Sequence, residues 1–160
     1  MKKNKVNNHI YSIHGINNSC ELLNSKKVEI ISIFILDKGK AFYDSKIKKN
    51  IESFKDKCTF FDKNRFDKKF PFIRSQGIVI NFKFELNNYI PKFENENICL
   101  IIPEEIEDPQ NLGQIIRTSE CAGIDGILIS QNRTVGITNA VLQVSQGAFL
   151  NMPIYLIGNI

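Results

Sequence analysis

A chain of 160 residues with 42% hydrophobic side chains can bury a core and is not a disordered tail. The length suits one domain or two small ones. The net charge of +4 is uneven: residues 1–97 carry 19 Lys and Arg against 11 Asp and Glu, a net of +8, while residues 98–160 carry 2 against 6, a net of −4. A basic front half fits a partner with a phosphate backbone, although the abundance of Lys, Asn and Ile throughout also fits an AT-rich genome. Cys20, Cys58, Cys99 and Cys121 are scattered without metal-ligand spacing, and His9 and His14 form no partner set. No metal is expected, and the cysteines read as reduced core thiols of a cytoplasmic protein. The longest apolar run, 30–36, is too short to span a bilayer, and the basic start is followed by no continuous apolar segment.

In chain order, residues 1–9 read as a polar arm. Tyr11, Ile13, Ile16, Cys20 and Leu23 give a helical stripe that Gly15 weakens. The β-branched run 29–36 predicts a buried strand, and 37–40 a turn. Residues 42–54 predict one basic amphipathic helix, with Ile47, Ile51 and Phe54 on one face. Its Lys46, Lys48, Lys49 and Lys55 are the candidate charges facing a nucleic-acid backbone; a solvated helix face is the ordinary alternative. A strand at 59–62, a helix at 64–70 and a strand at 77–84 complete a small α/β sandwich. The polar stretch 85–97 reads as a linker.

The apolar run 98–102 predicts a strand at the centre of a parallel sheet. Strands at 124–130 and 153–157 follow, with a helix between them that Thr138 caps and that buries Ala140, Val141, Val144 and Ala148. Strand, helix, strand, helix, strand predicts a parallel sheet with right-handed crossovers. Ligands of such sheets lie at the carboxyl ends of the strands. Residues 104–111 are delivered to that edge. Arg133 follows the second strand and falls near the same edge, or is an exposed loop residue. In Ser145-Gln146-Gly147-Ala148, the small side chains permit close helix packing.

The chain is organised around DPQNLGQIIRTSECAG, residues 108–123. Asp108-Pro109 opens a turn, and Asn111 stands where an N-cap would. Leu112, Ile115, Ile116, Ser119 and Ala122 recur at helical spacing, and Gly123 supplies the stop. Arg117 projects away from that stripe. An amide and a guanidinium on one rigid element suit a polyanionic substrate; periodicity alone favours the plainer reading of a capping Asn and a solvated Arg.

DPQNLGQIIRTSECAGIDGILI resembles the first signature of the SpoU (TrmH-like) RNA ribose 2′-O-methyltransferases of the knotted SPOUT superfamily, a pattern of about D-P-x-N-x-G-x-[IL]-[IL]-R-[TS]-[AS]-x-x-A-G. SQGIVI at 75–80 is similar to the H-Q-G-[IV] segment that closes the family's substrate-binding domain, with Ser75 in place of His. IYSIHGINNSCELL at 10–23 is similar to the family's opening G-x-H-A-V-x-E-A-L, and residues 133–160 to the segment after the first signature. The resemblance implies an α/β fold: an L30e-like RNA-binding domain over 1–84, a linker over 85–97, and the first part of a parallel-sheet α/β-knot domain over 98–160. It implies S-adenosylmethionine as methyl donor, ribosomal or transfer RNA as substrate, no metal, and a homodimer. It implies that Arg117 activates or holds the ribose 2′-hydroxyl and that Asn111 orients the site.

The family's second signature, a glycine- and glutamate-rich loop, and its third, containing S-L-N-x-S, have no counterpart in residues 1–160. Those segments form most of the donor pocket in the family, so the cofactor-binding residues are expected beyond Ile160. The 160 residues alone are expected to be inactive and to represent part of a methyltransferase. The alternative is a non-catalytic RNA-binding module. A nucleotide-binding α/β protein of unrelated chemistry is disfavoured, since no glycine-rich phosphate loop follows the strand at 98–102.

Overall fold

The computed structural model describes residues 9–71, 74–94, 97–130 and 134–158. They divide into two compact units between Phe84 and Glu85.

The first unit has one four-stranded sheet, in the order β1-β4-β2-β3, from β1 (Ile10–His14), β2 (Val28–Leu36), β3 (Cys58–Phe61) and β4 (Ile78–Phe84). β4 runs antiparallel to β1 and β2, and β3 runs parallel to β2. Ile33, Ile78, Ile80 and Phe82 are completely buried; each such side chain contributes about 1.5–3 kcal/mol. Residues 10–14 are a strand and not the start of a helix. Tyr11 and Ile13 are buried while Ser12 and His14 are half-buried, a period of two. Gly15, at φ 87°, turns the chain into α1 (Ile16–Asn24), a conformation that costs glycine little.

The segment at 75–77 completes this junction. The Ile16 amide donates to Gln76 Oε1 at 2.7 Å, which caps α1 from 60 residues away. Gln76 and Gly77 both have positive φ, and Ser75 Oγ accepts from the Gly77 amide at 3.3 Å. Ser75 and Gln76 therefore hold the fold.

Residues 42–54 do not form one helix. α2 (Lys40–Tyr43) stops at Asp44, whose carboxylate accepts from the amides of Lys46 and Ile47 at 2.9 and 3.0 Å and opens α3 (Ser45–Ile51). A 3-10 turn (Glu52–Lys57) follows. Aspartate favours helix starts over helix interiors, and that preference overrode the apolar stripe. Ile47 is completely buried, while Ile51 and Phe54 are only half-buried. α4 (Lys63–Lys69) is capped by Asp62 and buries Phe66.

The second unit has the parallel sheet β5-β6-β7, from β5 (Leu100–Ile101), β6 (Gly126–Ser130) and β7 (Ile154–Ile157), with α5 (Pro109–Cys121) and α6 (Asn139–Ser145) as crossovers. β6 is central and buried throughout; β5 is an edge, with Leu100 and Ile101 half-buried and Ile98 and Ile102 exposed. An apolar run marks a strand but does not say which neighbours it finds. The stretch expected as a linker contributes to this unit. The Asn87 amide donates to Ile154 O at 3.3 Å, Asn87 O accepts from Leu156 at 2.7 Å, and Phe93 meets Tyr155 edge-to-face at 6.4 Å.

α6 is capped by Thr138 and buries Val141, Leu142 and Ser145; Ala140 is exposed and Val144 half-buried, so the buried face is rotated from the expected one. Gln146 and Gly147, both with positive φ, end the helix. The tightest helix approach is at Gly113, where a Cβ would lie 2.7 Å from Val144 Cβ and 2.8 Å from Val141 O. All four cysteines are free, but only Cys20 belongs to the core; Cys99 and Cys121 are exposed. Among the described residues no helix is long and apolar enough to cross a membrane.

Candidate functional site

α5 carries the candidate site, and its start differs from expectation. Asp108 is the N-cap, its carboxylate accepting from the Gln110 amide at 2.8 Å, with Pro109 as the first helical residue. Proline is preset for that position and lacks an amide that would need a partner, so the cap falls on Asp108. Asn111 is the third residue of the helix and is exposed. Leu112, Gly113, Ile116 and Ser119 are buried; Ile115 is half-buried and Ala122 exposed. The helix closes as expected at Gly123, φ 71°, with Ile124 N donating to Ser119 O at 3.0 Å.

Arg117 is exposed, and its guanidinium has no hydrogen bond, ion pair or ring contact with another described residue. It lines an open groove of about 600 Å³ with Gln114 and Thr118 of α5, Gln143 of α6, and Gln146. Asn111 lines a second groove of about 510 Å³, with Ile101, Ile106 and Ile115. Gln114 and Thr118 border both grooves and form the ridge between them. Asn111 and Arg117 are six residues apart, about 9 Å along the axis and about 120° around it. They share one rigid element but face different grooves. Arg117 lies about 12 Å along the helix from Pro109, on the helix layer rather than at the sheet edge.

At that edge the loops after β5 and β6 are tied together. Thr134 Oγ1 donates to Pro103 O at 3.1 Å, and the Val135 amide donates to Ile106 O at 2.7 Å. Arg133, expected near this edge, lies outside the described residues. So does Ile160, the residue beyond which the cofactor-binding groups are expected. Arg117 and Arg133 are the two Lys or Arg of residues 98–160. The free guanidinium offers five N–H donors to an anionic oxygen, and the glutamines beside it add neutral donors and acceptors. Gln114 was open to inference, since it stands one helical turn before Arg117. Nothing in the sequence placed Gln143 and Gln146 there, because their approach depends on how α6 docks.

Of the lysines expected to face RNA, Lys46, Lys48 and Lys49 are exposed on α3. Lys55 is exposed in the 3-10 turn and pairs with Glu52, which offsets its charge locally. Lys57 instead donates to Ile30 O at 2.7 Å and supports the fold.

Residues 98–160 match the model of the SpoU rRNA Methylase family. A putative TrmH family tRNA/rRNA methyltransferase of Bacillus subtilis, YacO, is 40% identical over 67 residues, which is 42% of this chain and 27% of that protein. An AdoMet-bound rRNA methyltransferase from Sinorhizobium meliloti superposes with a TM-score of 0.71 at 15% identity, over 94% of this chain and 55% of that one. An RNA 2′-O ribose methyltransferase superposes with a TM-score of 0.71 at 14% identity, over 94% of this chain and 56% of that one. The chain thus spans about half the length of these solved structures and about a quarter of the curated relative. The mixed α/β architecture with its parallel sheet is the fold those structures share. The likeness to the SpoU rRNA Methylase family is thus carried by residues 98–160.

Proposed function

We propose that this chain is part of a cytoplasmic, homodimeric RNA ribose 2′-O-methyltransferase that uses S-adenosylmethionine on ribosomal or transfer RNA. One observation carries the reading: the family match over 98–160 includes the helix on which Arg117 stands exposed, with no partner among the described residues. A partner-free guanidinium is available to an external anion. Arg117 donates to the ribose 2′-oxygen or its flanking phosphate and so lowers the cost of negative charge there as the hydroxyl loses its proton. Asn111, in its own groove, orients the neighbouring part of the RNA. The exposed lysines of α3 add phosphate contacts in the first unit.

S-adenosylmethionine supplies an electrophilic methyl group when bound. The two grooves do not fit it. Their lining is aliphatic, amide and hydroxyl side chains with Arg117 and Cys121, and holds no carboxylate to pair with the ribose hydroxyls or sulfonium of the donor. The residues of these two grooves therefore do not hold the donor. This mismatch supports the reading that residues other than those of the two grooves bind the donor.

The test is methyl transfer from labelled S-adenosylmethionine to cellular RNA by the protein containing these 160 residues, followed by mapping of 2′-O-methyl nucleotides. A 2′-O-methyl site that depends on the protein is expected. Methylation on a base overturns the ribose assignment. RNA binding without any transfer supports the non-catalytic module instead.

A further inference from the structure

The first unit carries a feature that the methyltransferase reading does not use. Tyr43 and Phe60 are large rings, yet they are 62% and 52% exposed. Phe42 stands between them. It meets Tyr43 at 5.2 Å and Phe60 at 6.1 Å between ring centres, both nearly perpendicular. The rings come from α2 and from β3, which is the edge strand of the sheet. Lys48 Nζ lies 5.7 Å from the Phe42 ring centre and 5.6 Å from that of Tyr43. Folded domains rarely gather exposed rings without a partner for them.

The charge around the rings selects the partner. Residues 40–69 hold 10 Lys and Arg against 5 Asp and Glu. Lys46 and Lys49 are exposed on the same short helix as Lys48. Asp44, next to Tyr43 in the chain, accepts from two amides of α3 with its carboxylate, and Glu52 pairs with Lys55. Protein interfaces are depleted of charge at their apolar centre, whereas here a lysine sits over the rings. Rings among cations suit a ligand that joins flat π-faces to anionic links. Paired bases hide those faces in the stack, and unpaired bases present them.

We propose that Tyr43, Phe42 and Phe60, with Lys48 over the first two, form a stacking platform for unpaired nucleobases, so that the first unit selects a single-stranded segment of RNA. This rests on the RNA-methyltransferase reading and deepens it by naming the conformation of the substrate. Stacking on the rings supplies the preference for unpaired bases, and the α3 lysines hold the backbone on either side.

The test is fluorescence anisotropy of the 160-residue chain with a labelled, unstructured RNA of about twelve nucleotides, and with the same strand annealed to its complement. The unmodified chain binds the single strand more tightly than the duplex. Tyr43→Ala with Phe60→Ala weakens single-strand binding about tenfold or more, and Tyr43→Trp preserves it. The salt dependence stays unchanged, since no phosphate contact is lost. Circular dichroism reports on folding, and Tyr43→Ser alone, at the most exposed ring, replaces the double variant if that unfolds. A folded variant that binds the single strand as well as the parent overturns the platform and leaves the methyltransferase reading standing. Equal losses on single strand and duplex, or rings that prove to be a self-association surface by sedimentation, overturn it as well. A parent chain that binds neither RNA overturns the platform too, while the methyltransferase reading is decided separately by methyl transfer in the protein that contains these residues.

Discussion

The two units handle charge in opposite ways. The first, over residues 8–84, has 15 Lys and Arg against 8 Asp and Glu, and its exposed rings sit among those cations. The second has few: over 85–160 the cations are Lys92, Arg117 and Arg133, against 9 acids. Many exposed cations give binding strength that is summed, tolerant of single losses and sensitive to salt. One unpaired guanidinium in an acidic unit gives little general attraction, so its value lies in what it touches. In the proposed function the contrast separates gripping from chemistry: the first unit supplies general attraction to a polyanion, and the second supplies one specific group.

The largest effect expected from this contrast is at Arg117. In the protein with a complete methyltransferase domain, Arg117→Ala should lower transfer at least about a hundredfold, the scale seen when one donor to developing charge is removed. Its unfolding temperature should hardly move, because the side chain is exposed and unpaired. Near-normal turnover would remove Arg117 from the reaction. Next is Gly113→Val. Its side chain would collide with Val144 and the Val141 carbonyl, and denaturant unfolding should report a loss of about 1–3 kcal/mol; unchanged stability would mean that α5 and α6 separate easily.

The first unit should respond differently. RNA affinity of the whole chain should fall steeply and linearly on a logarithmic salt scale, and Lys46→Ala, Lys48→Ala or Lys49→Ala should each reduce that slope by about one. Salt-insensitive binding would reduce the charge asymmetry to compositional bias. The smallest effect is at Gln76→Ala, which removes the acceptor for the Ile16 amide. A loss of about 1 kcal/mol is expected, read by chemical denaturation; no change would mean that water replaces this cap.

Local chemistry explains where prediction succeeded. β2, β4, α4, β6 and β7 were found within a few residues because their apolar spacing and their turn and cap residues agree. α5 was found for the same reason, and its exposed Arg117 followed from helical periodicity. The errors fall where two local signals compete. Tyr11 and Ile13 fit both a strand and a helix until Gly15 divided them. Asp44 broke a plausible stripe, and Pro109 moved the cap from Asn111 to Asp108.

The residue pattern on its own established an α/β chain of two parts, unequal in charge, with one helix marked by a sixteen-residue signature, because periodicity, capping and charge count are properties of neighbours along the chain. It could not say that β6 rather than β5 is central, that Gln76 caps a helix 60 residues away, that Asn111 and Arg117 open onto different grooves, or that Phe60 meets Phe42, which lies with Tyr43 under Lys48. Those depend on which elements meet and in what register, and such long-range contacts leave no local trace in composition or spacing.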